Sequence, residues 1–451
     1  MSSFWKTILV LLIFSIQGNN VFGQEKETAF LDFSGRFVTR GMTTLNAGEL
    51  TDYGVVVSSL DLKIVYKPAD WLFIKTTGAG LINYGTNNLL ITDPITGSGP
   101  MYESNLWHPR NMTGTSEFIL PELSLLFNHK SHSLEVGRFV KNTPLIKGEK
   151  WPFPTSLQGL WYNLETKKGW QFKAGLVNRI ASRFIGEFQK LGNSIGQANV
   201  GVGLDGNKSL YYQNTSSDYL GIFNVTWQKQ DEIKVQFWNY YVENISNSMF
   251  LETTIQLSKE NGLSLSAQGL LQQRIGDGGN ANPDLRYFTD KHSNSFGLRL
   301  DKKGKSDLIE LNFNSIGSAG RVLLPREWGV EPFYTLQRRA RIEGSGNATS
   351  VMLKYQRIVA NEKRRFVLTS SIGSHSLTNP KEDYAANKYT QPSNVNLDFA
   401  VKYVPLHVLK GASLELFVLH RFLNEDIANE PVYIINRVNF TQFDLTFNYT
   451  F

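Results

Sequence analysis

The sequence predicts an all-β fold, a transmembrane antiparallel β-barrel of about 18 strands, with 16–18 as the range. Three observations predict it. Apolar and polar side chains alternate along runs of about 9–13 residues, the length that a tilted strand needs to cross a membrane. The connections alternate between tight turns and long loops. The chain ends in an aromatic-rich alternating segment whose last residue is Phe451.

Composition agrees with a barrel and excludes other classes. The 451 residues have a mean hydropathy of −0.25 and are 12% aromatic. A helical membrane protein needs about 20 consecutive apolar residues per helix, whereas only every second residue of a barrel strand meets lipid. The absence of cysteine excludes disulfides and thiolate metal sites. The 46 Lys and Arg residues against 40 Asp and Glu are too balanced to predict a nucleic-acid partner.

The first predicted element is a signal peptide, residues 1–23. Lys6 gives it a positive end, Ile8–Ile16 is a short apolar core, and Val21-Phe22-Gly23 resembles a cleavage site before Gln24. A single membrane anchor is the alternative, but the apolar run is too short to span a bilayer. Residues 24–451 are then predicted to be one barrel in the outer membrane of a Gram-negative bacterium.

The last predicted element is the strand at the C-terminus. Phe443, Leu445, Phe447, Tyr449 and Phe451 share one face, and polar residues occupy the other. This pattern suits a lipid-facing strand with an aromatic girdle. It also matches the ending that the barrel-assembly machinery is thought to read, so that machinery is a predicted partner through Phe451. An ordinary edge strand is the alternative.

Two stretches between these ends fit the alternation poorly. Phe118–Asn128 contains Pro121, which lacks the N–H that a ladder needs and predicts a bulge or a strand end. Phe333–Ala360 is ambiguous, because three arginines crowd together within residues 338–341. Long loops are predicted at 85–116, 181–217, 276–293, 317–332 and 375–393.

Signals for an enzyme are weak. Gly201, Gly203 and Gly206 match a dinucleotide-binding fingerprint in spelling but lack its strand–helix context. Asp277–Asp284 leaves calcium binding open but does not have the spacing of an EF-hand. No HExxH motif includes any of the seven histidines. We therefore expect no catalytic residue, no cofactor and no metal site.

The polar faces of the strands carry the informative chemistry. Charges of both signs there would face a water-filled lumen and create a transverse field that orients small charged solutes. Alternatively they pair in salt bridges, although a barrel of this size is too wide for side chains to fill. The basic residues predicted to line the pore are Arg36, Arg40, Lys63, Lys173, Arg179, Arg274, Arg299, Lys402 and Arg421.

One loop is predicted to narrow the pore. Residues 142–155 follow a strand near Leu134–Val140, contain three prolines, and carry Lys147, Glu149 and Lys150. If this stiff segment folds into the lumen, the three charged side chains would form a constriction. A surface loop is the alternative, because loops usually lie outside.

The same region resembles a known family. Val136-Gly137-Arg138, Thr143-Pro144-Leu145 and Pro154–Leu160 look like the strand, constriction loop and following strand of the porin D-type (OprD-like) outer-membrane porins. The resemblance implies an 18-stranded, substrate-selective channel. It also implies an inward loop at 142–155 and wall arginines that form a basic track for carboxylates.

These observations predict a diffusion channel for small polar solutes, in particular carboxylate-bearing ones such as amino acids or organic acids. Outer-membrane lipid, lipopolysaccharide and the small-molecule solute are the predicted partners. A barrel hydrolase or adhesin is one alternative. A saccharide-selective porin is another, because aromatic residues that could stack on sugar rings occur in loops: Trp107, Trp151, Tyr211, Tyr212 and Trp328.

Overall fold

The computed structural model describes residues 30–84, 89–107, 113–148, 153–183, 185–198, 200–424 and 439–451. Nineteen strands within these ranges form one antiparallel sheet. Eighteen of them pair in chain order, and β1 pairs with β19, so the sheet closes into a barrel. The prediction of a closed antiparallel barrel of about 18 strands is confirmed. The extra strand, β8, adds three residues to the edge of β7.

The strands vary in length from the short β8 to the long β1 and β2 near the start. They are β1 (Phe30–Asn46), β2 (Tyr53–Ala69), β3 (Leu72–Asn83), β4 (Ser116–His129), β5 (His132–Val140), β6 (Ser156–Glu165), β7 (Trp170–Ala181), β8 (Phe188–Lys190), β9 (Leu220–Lys229), β10 (Ile233–Val242), β11 (Ser246–Ser258), β12 (Leu263–Arg274), β13 (His292–Lys303), β14 (Asp307–Ile316), β15 (Ala348–Ala360), β16 (Arg364–Ser376), β17 (Asn394–Pro405), β18 (Ala412–Leu423) and β19 (Phe440–Thr450).

The alternation places apolar side chains outside the barrel and polar ones inside. Leu311 and Leu353 are cross-strand neighbours on β14 and β15, and both are exposed on the outer surface. Asn314 and Ser350 are neighbours on the other face, and both are buried. A closed sheet with an apolar exterior satisfies every strand edge in lipid, where water is absent. No helix in the described ranges is long and apolar enough to cross a membrane.

The C-terminal residue completes the closure of the barrel. Phe451 follows β19, and its backbone exchanges two hydrogen bonds with Gly35 on β1, at 2.8 and 3.0 Å. Its ring lies over Gly35 and near the rings of Phe33 and Tyr449. The predicted aromatic C-terminal strand is therefore present and forms one side of the seam.

The two ambiguous stretches are resolved. The register of β3 and β4 shifts so that Leu120 and Pro121 together face Gly78, which is the bulge that the proline predicted. The stretch Phe333–Ala360 is divided, because β15 begins at Ala348 and the residues before it belong to a long loop, 317–347. The arginines at 338–341 thus lie in a loop and not in a strand.

The long loops lie at one end of the barrel, and their described parts pack into its lumen. They cover 84–115, 141–155, 182–219, 275–291, 317–347 and 377–393, whereas short turns such as 70–71 and 130–131 join the strands at the other end. Two apolar clusters form where these loops meet inward-facing wall residues. One contains Leu145, Ile146 and Trp328, and the other surrounds Trp107.

Candidate functional site

The 317–347 loop crosses the lumen. Tyr334 donates a hydrogen bond to Glu252 on β11 at 2.8 Å. Arg338 donates to Glu415 on β18 at 2.6 Å and lies 3.5 Å from Asp444 on β19. β11 and β19 are eight strands apart in the ring of eighteen, so the loop extends from one side of the barrel to the other.

Apolar anchors hold this loop in place. Val322, Leu323, Trp328, Phe333 and Ile342 are buried, and removal of their apolar surface from water stabilises the inward position. The carbonyl of Trp328 also accepts a hydrogen bond, at 3.0 Å, from the backbone N–H of residue 147 in the neighbouring loop. Strand-like pairing is absent from most of the loop, so side-chain packing gives it a fixed shape.

An arginine-rich cavity lies between this loop and the barrel wall. It has a volume of about 120 Å³. Tyr102 contributes an aromatic side to it, and none of the described residues that line it is acidic. The six arginines that line it come from the wall and from two loops: Arg40, Arg183, Arg326, Arg338, Arg339 and Arg341.

Three of these arginines surround a buried carboxylate of the barrel wall and are called the wall group: Arg40 of β1, and Arg338 and Arg339 of the crossing loop. Arg40 donates from Nε to Asp444 at 2.9 Å, and Asp444 is fully buried. Arg339 lies 3.9 Å from the same carboxylate and donates to Gln442 at 2.6 Å. Burial, followed by the charge of Arg40, lowers the pKa of Arg339 to about 10. The wall group, Arg40, Arg338 and Arg339, therefore concentrates positive charge at one side of the cavity.

The other three arginines form a loop group. Arg183 donates from Nε to the carbonyl of Arg326 at 3.0 Å, and Arg326 pairs with Glu343 at 2.7 Å. Arg341 differs from both, because no hydrogen bond or ion pair to it occurs within the described ranges. Burial, followed by the charge of Arg326, lowers the pKa of Arg341.

The charges of two carboxylates in the same loop, Glu331 and Glu343, act on Arg341 and oppose the lowering of its pKa. Burial raises the pKa of Glu331 to about 7, and this effect outweighs the attraction of the Arg341 charge. The carboxylate of Glu331 is occupied by the backbone N–H groups of Ile342 and Glu343, at 3.0 and 3.1 Å. Arg341 therefore lines the cavity without a hydrogen bond or an ion pair among the described residues, although the charges of Glu331 and Glu343 in the same loop act on it.

Of the pore-lining residues expected from the sequence, Arg40 lies at this cavity. Arg36 and Lys63 lie on the inner wall but are paired, with Asp61 at 2.7 Å and with Glu122 at 3.1 Å. These pairs agree with the alternative that some inward charges form salt bridges. Both basic side chains remain more than one-third exposed, so they still meet the water in the lumen.

Three further candidates lie on the inner wall away from the cavity. Lys173 lies 5.8 Å from the ring of Trp238. Arg299 stacks at 4.5 Å on Tyr334 of the crossing loop and pairs with Asp301. Lys402 is half-buried on β17. These residues place basic side chains on the inner wall outside the cavity.

Arg274 and Arg421 act as anchors for loops. Arg274 donates to the carbonyl of Thr289 at 3.0 Å, within the 275–291 loop region. Arg421 is almost completely buried and bonds to Asn396 on the wall and to the carbonyl of Arg339. Both side chains point inward as expected, but they contact protein groups rather than the open lumen.

The inward placement expected for Arg179 requires correction. Gln158 pairs with Arg179 while Gly159 pairs with Val177, so residue 178 is an extra residue in a bulge. One extra residue reverses the faces of a strand. Val177 and Ile180 are therefore both buried in the inner cluster, whereas Arg179 is exposed on the opposite face.

The 141–155 loop packs against the crossing loop. Leu145 and Ile146 are buried, and the N–H of Leu145 lies 3.5 Å from the hydroxyl of Tyr240. Lys147 is half-buried, and burial lowers its pKa despite the opposing charge of Glu252. The other two candidates of this loop, Glu149 and Lys150, lie outside the described residues, as does the predicted signal peptide.

Sequence reasoning missed five of the six arginines at the cavity. Arg183 and Arg326 carry no local signal, because they lie in irregular segments. The crowding of Arg338, Arg339 and Arg341 was visible in the sequence but was interpreted as an ambiguous strand. Like charges at such close spacing repel each other in a solvated loop, so the cluster was a signal that acidic groups elsewhere in the fold, such as Glu415 and Asp444, lie against it.

Three of the five aromatic residues considered for sugar stacking are buried. Trp107, Trp328 and Tyr211 are each less than 5% exposed and belong to the apolar clusters. Tyr212 packs against one of these clusters, and Trp151 lies outside the described residues. Trp107, Trp328 and Tyr211 therefore give no support to a saccharide-selective pore.

Comparisons with known proteins identify similar folds. No protein-family model and no curated sequence matches the chain. Solved structures do match. OccAB4 of Acinetobacter baumannii has a TM-score of 0.68 and 13% identity, over 93% of this chain and 98% of that one. OccK9 (OpdG) of Pseudomonas aeruginosa has a TM-score of 0.69 and 11% identity, over 93% and 98%.

A third similar structure contains a ligand. OccK2 (OpdF) of Pseudomonas aeruginosa, solved in complex with glucuronate, has a TM-score of 0.66 and 9% identity, over 93% of this chain and 97% of that one. These structural neighbours are OprD/Occ outer-membrane porins. At this level of identity the likeness concerns the fold, which is the closed 18-stranded barrel that the resemblance of residues 136–160 implied.

Proposed function

We propose that this protein is an outer-membrane diffusion channel for small solutes that bear carboxylate groups. The arginine-rich cavity inside the lumen carries the proposal. A guanidinium presents a planar fork of N–H donors that matches a carboxylate, and Arg341 has this fork unoccupied among the described residues. A passing anion therefore finds a binding group that the protein does not already use.

The surroundings of the cavity support transport of anions. Lys63 and Lys173 contribute positive charge to the inner wall, and a field of one sign in a narrow, low-dielectric passage raises the local concentration of the opposite ion. Passage of such a solute requires no catalytic group, and we propose no enzymatic activity. The apolar exterior suits contact with outer-membrane lipid and lipopolysaccharide.

The complex of OccK2 (OpdF) with glucuronate adds support for the solute class, since glucuronate is a carboxylate. It remains a property of that protein. Insertion into the outer membrane through recognition of Phe451 by the barrel-assembly machinery is part of the proposal, because the terminal aromatic strand is the type of signal that the sequence predicted.

Planar-bilayer recordings test the proposal. Purified protein should give stepwise conductance, and the reversal potential in a KCl gradient should indicate a preference for chloride. Arg341→Gln should reduce the anion-to-cation permeability ratio on the order of tenfold, because a unit charge roughly 5 Å from the ion acts in a partly solvated site.

A matched control uses an arginine outside the lumen. Arg364 is exposed at the start of β16, at the short-turn end of the barrel. Arg364→Gln should leave the permeability ratio unchanged. Absence of stepwise conductance, or cation preference in the unmodified protein, would show that the proposal is wrong.

A further inference from the structure

We propose that one sector of the short-turn end of the barrel binds the headgroups of anionic phospholipids in the membrane leaflet that faces the periplasm. The sector, called the basic rim, consists of residues 302–307, 357–365 and 405–411, which are the turns after β13, β15 and β17 with the strand ends beside them. Short turns of outer-membrane barrels face the periplasm. The inference concerns the outside of the barrel and does not depend on what passes through the lumen.

The basic rim has a surplus of positive charge. Its three segments contain eight Lys and Arg residues but only two acidic residues, Asp307 and Glu362. The resulting formal charge of +6 equals that of the whole chain, so the charges of all other residues sum to zero. The neighbouring short turn 259–262 contributes one charge of each sign, Lys259 and Glu260, and does not change this balance.

Little of this charge is neutralised within the rim. All eight basic residues are exposed. Within the described ranges they form one ion pair, in which Arg357 lies 3.8 Å from Asp307 and the two side chains are 54% and 37% exposed. The same carboxylate also accepts a hydrogen bond from the hydroxyl of Tyr355 at 2.6 Å. An exposed pair of this kind is weak, so the rim keeps a net charge that an anionic partner would balance.

Three of the basic residues, Lys302, Arg357 and Arg364, lie on the lipid-facing side of the barrel. Alternate residues of a strand share one face. Exposed apolar residues occupy the same faces of β13, β15 and β16: Leu300, Leu353 and Ile372. Each of the three basic residues lies within four residues of its turn, or roughly 13 Å along the strand. They therefore mark the level at which the apolar exterior ends.

Aromatic rings occur at the same level. Phe366 and Tyr403 are cross-strand neighbours on the outer face of β16 and β17, with ring centroids 5.1 Å apart. The guanidinium carbon of Arg364 lies 5.9 Å from the centre of the Phe366 ring. Aromatic side chains with one polar end prefer the headgroup level of a membrane, and long basic side chains extend towards it. This arrangement places the cations at the depth of lipid phosphates.

The turn 406–411 favours a lipid over a soluble acidic partner. Val408 and Leu409 at its tip are 74% and 62% exposed, and Lys410 follows them. Exposed apolar side chains beside a cation suit the boundary between headgroups and acyl chains. A soluble polyanion such as peptidoglycan would balance the charge but would offer no acyl chains to these two residues. A phospholipid with an anionic headgroup supplies both.

Native mass spectrometry of the full-length protein in detergent tests the inference, with phosphatidylglycerol and phosphatidylcholine of identical acyl chains as probes. The two lipids differ in the net charge of the headgroup. The first phosphatidylglycerol should bind at least about fivefold more tightly than the first phosphatidylcholine, the factor that one basic residue near a lipid surface contributes. Raising the ammonium acetate concentration should reduce this preference, because salt screens exposed charges.

Two triple variants make the test specific. The rim variant combines Lys302→Gln, Arg357→Gln and Arg364→Gln, and it should reduce the preference for phosphatidylglycerol to less than about twofold. The control variant removes the same charge from exposed positions in two other short turns and should preserve the preference; it combines Lys130→Gln, Lys167→Gln and Lys168→Gln. If the rim variant fails to fold, Arg364→Gln alone should still reduce the preference by at least about twofold.

The other results would overturn the inference. Equal binding of the two lipids by the unmodified protein would do so, as would a preference that survives in the rim variant. Equal loss of preference in both triple variants would show that the net charge of the protein, and not the basic rim, determines binding. Equal binding of the lipids together with co-sedimentation on purified peptidoglycan, lost in the rim variant, would assign the rim to peptidoglycan instead.

Discussion

The closing seam of the barrel gives a quantitative prediction for Gly35→Ala. A Cβ atom at position 35 would lie 2.3 Å from Cζ of Phe451 and 2.6 Å from its Cε2, so the ring must move. The displaced ring would lose its contacts with Phe33 and Tyr449, at centroid distances of 6.5 and 5.7 Å. Each aromatic pair contributes about 0.5–1.5 kcal/mol, so the expected loss of folding free energy is about 1–3 kcal/mol.

Gly41→Ala is the matched control for this change. Gly41 lies on the same face of β1, and a Cβ there would meet nothing closer than Val56 Cγ2 at 3.7 Å. Neither glycine has a positive φ, so backbone strain does not differ between the two substitutions. The control should change the free energy of unfolding by less than about 0.5 kcal/mol.

Urea unfolding in lipid vesicles, followed by tryptophan fluorescence, provides the measurement. Gly35→Ala should unfold at a lower urea concentration than Gly41→Ala with a similar slope. In a Phe451→Ala background, the difference between the two glycine variants should disappear, since the ring that clashes is gone. Equal stability of the two single variants, or an undiminished difference in that background, would refute the steric reasoning.

Two further predictions concern the loops. Burial lowers the pKa of Lys388 to about 7, so between pH 7 and about 10 the unfolded loop binds more protons than the folded loop, and loop stability rises with pH. Hydrogen exchange corrected for intrinsic rates should show stronger protection of residues 384–391 at about pH 10 than at pH 7, and Lys388→Met should abolish this difference. Equal protection of the unmodified loop at the two pH values would contradict the prediction. Glu415→Gln removes the 2.6 Å ion pair with Arg338, in which both side chains are about one-third exposed, and should destabilise the inward position of the crossing loop by about 1 kcal/mol, measured as faster hydrogen exchange at residues 333–341. Glu310→Gln is the control, because Glu310 forms a similar pair with Lys354 at 2.9 Å. Equal exchange of residues 333–341 in the two variants would show that Glu415 does not anchor the loop.

The barrel could be predicted from the sequence because its signal is local. Alternation along each strand reports which side chains meet lipid, and this holds without knowledge of the strand's neighbours. The bulge at Pro121 was also local, since a missing N–H affects the ladder wherever the partner lies. The pairing of β1 with β19 could be inferred with one further step, because a sheet with an apolar exterior must close to leave no unpaired strand edge in lipid.

The faces of residues beyond an unmarked bulge could not be predicted. Nothing in the sequence around Asn178 resembles Pro121, yet the extra residue there moves Arg179 to the exposed face. The alternation of apolar and polar residues does not reveal where an extra residue has been inserted. Every residue that follows the bulge in the strand is therefore assigned to the wrong face. The lumen assignments for Arg40 and Lys173 do not lie beyond a bulge and did not suffer from it.

The cavity itself depends on contacts between distant parts of the chain. Arg338 belongs to the crossing loop and contacts Asp444 of β19, the last strand. Arg183, which also lines the cavity, belongs to a different loop. No spacing rule connects such positions, because irregular loops have no period. The cluster at 338–341 indicated unusual electrostatics, but only the path of the loop shows which wall it meets.

The arginines at the cavity repel one another, and the burial of apolar side chains in the crossing loop offsets this cost in folding free energy. Concentrating six guanidinium groups at one cavity opposes folding, since burial and neighbouring charges lower the pKa of Arg339 and Arg341. The crossing loop offsets this cost with Val322, Trp328 and Phe333, each of which contributes about 1.5–3 kcal/mol on burial. The loop is thus held inward by side chains that do not touch the cavity. If the proposed function holds, an anion in the cavity would relieve part of this repulsion, and the arginines would then contribute to recognition of the solute as well as filling the lumen.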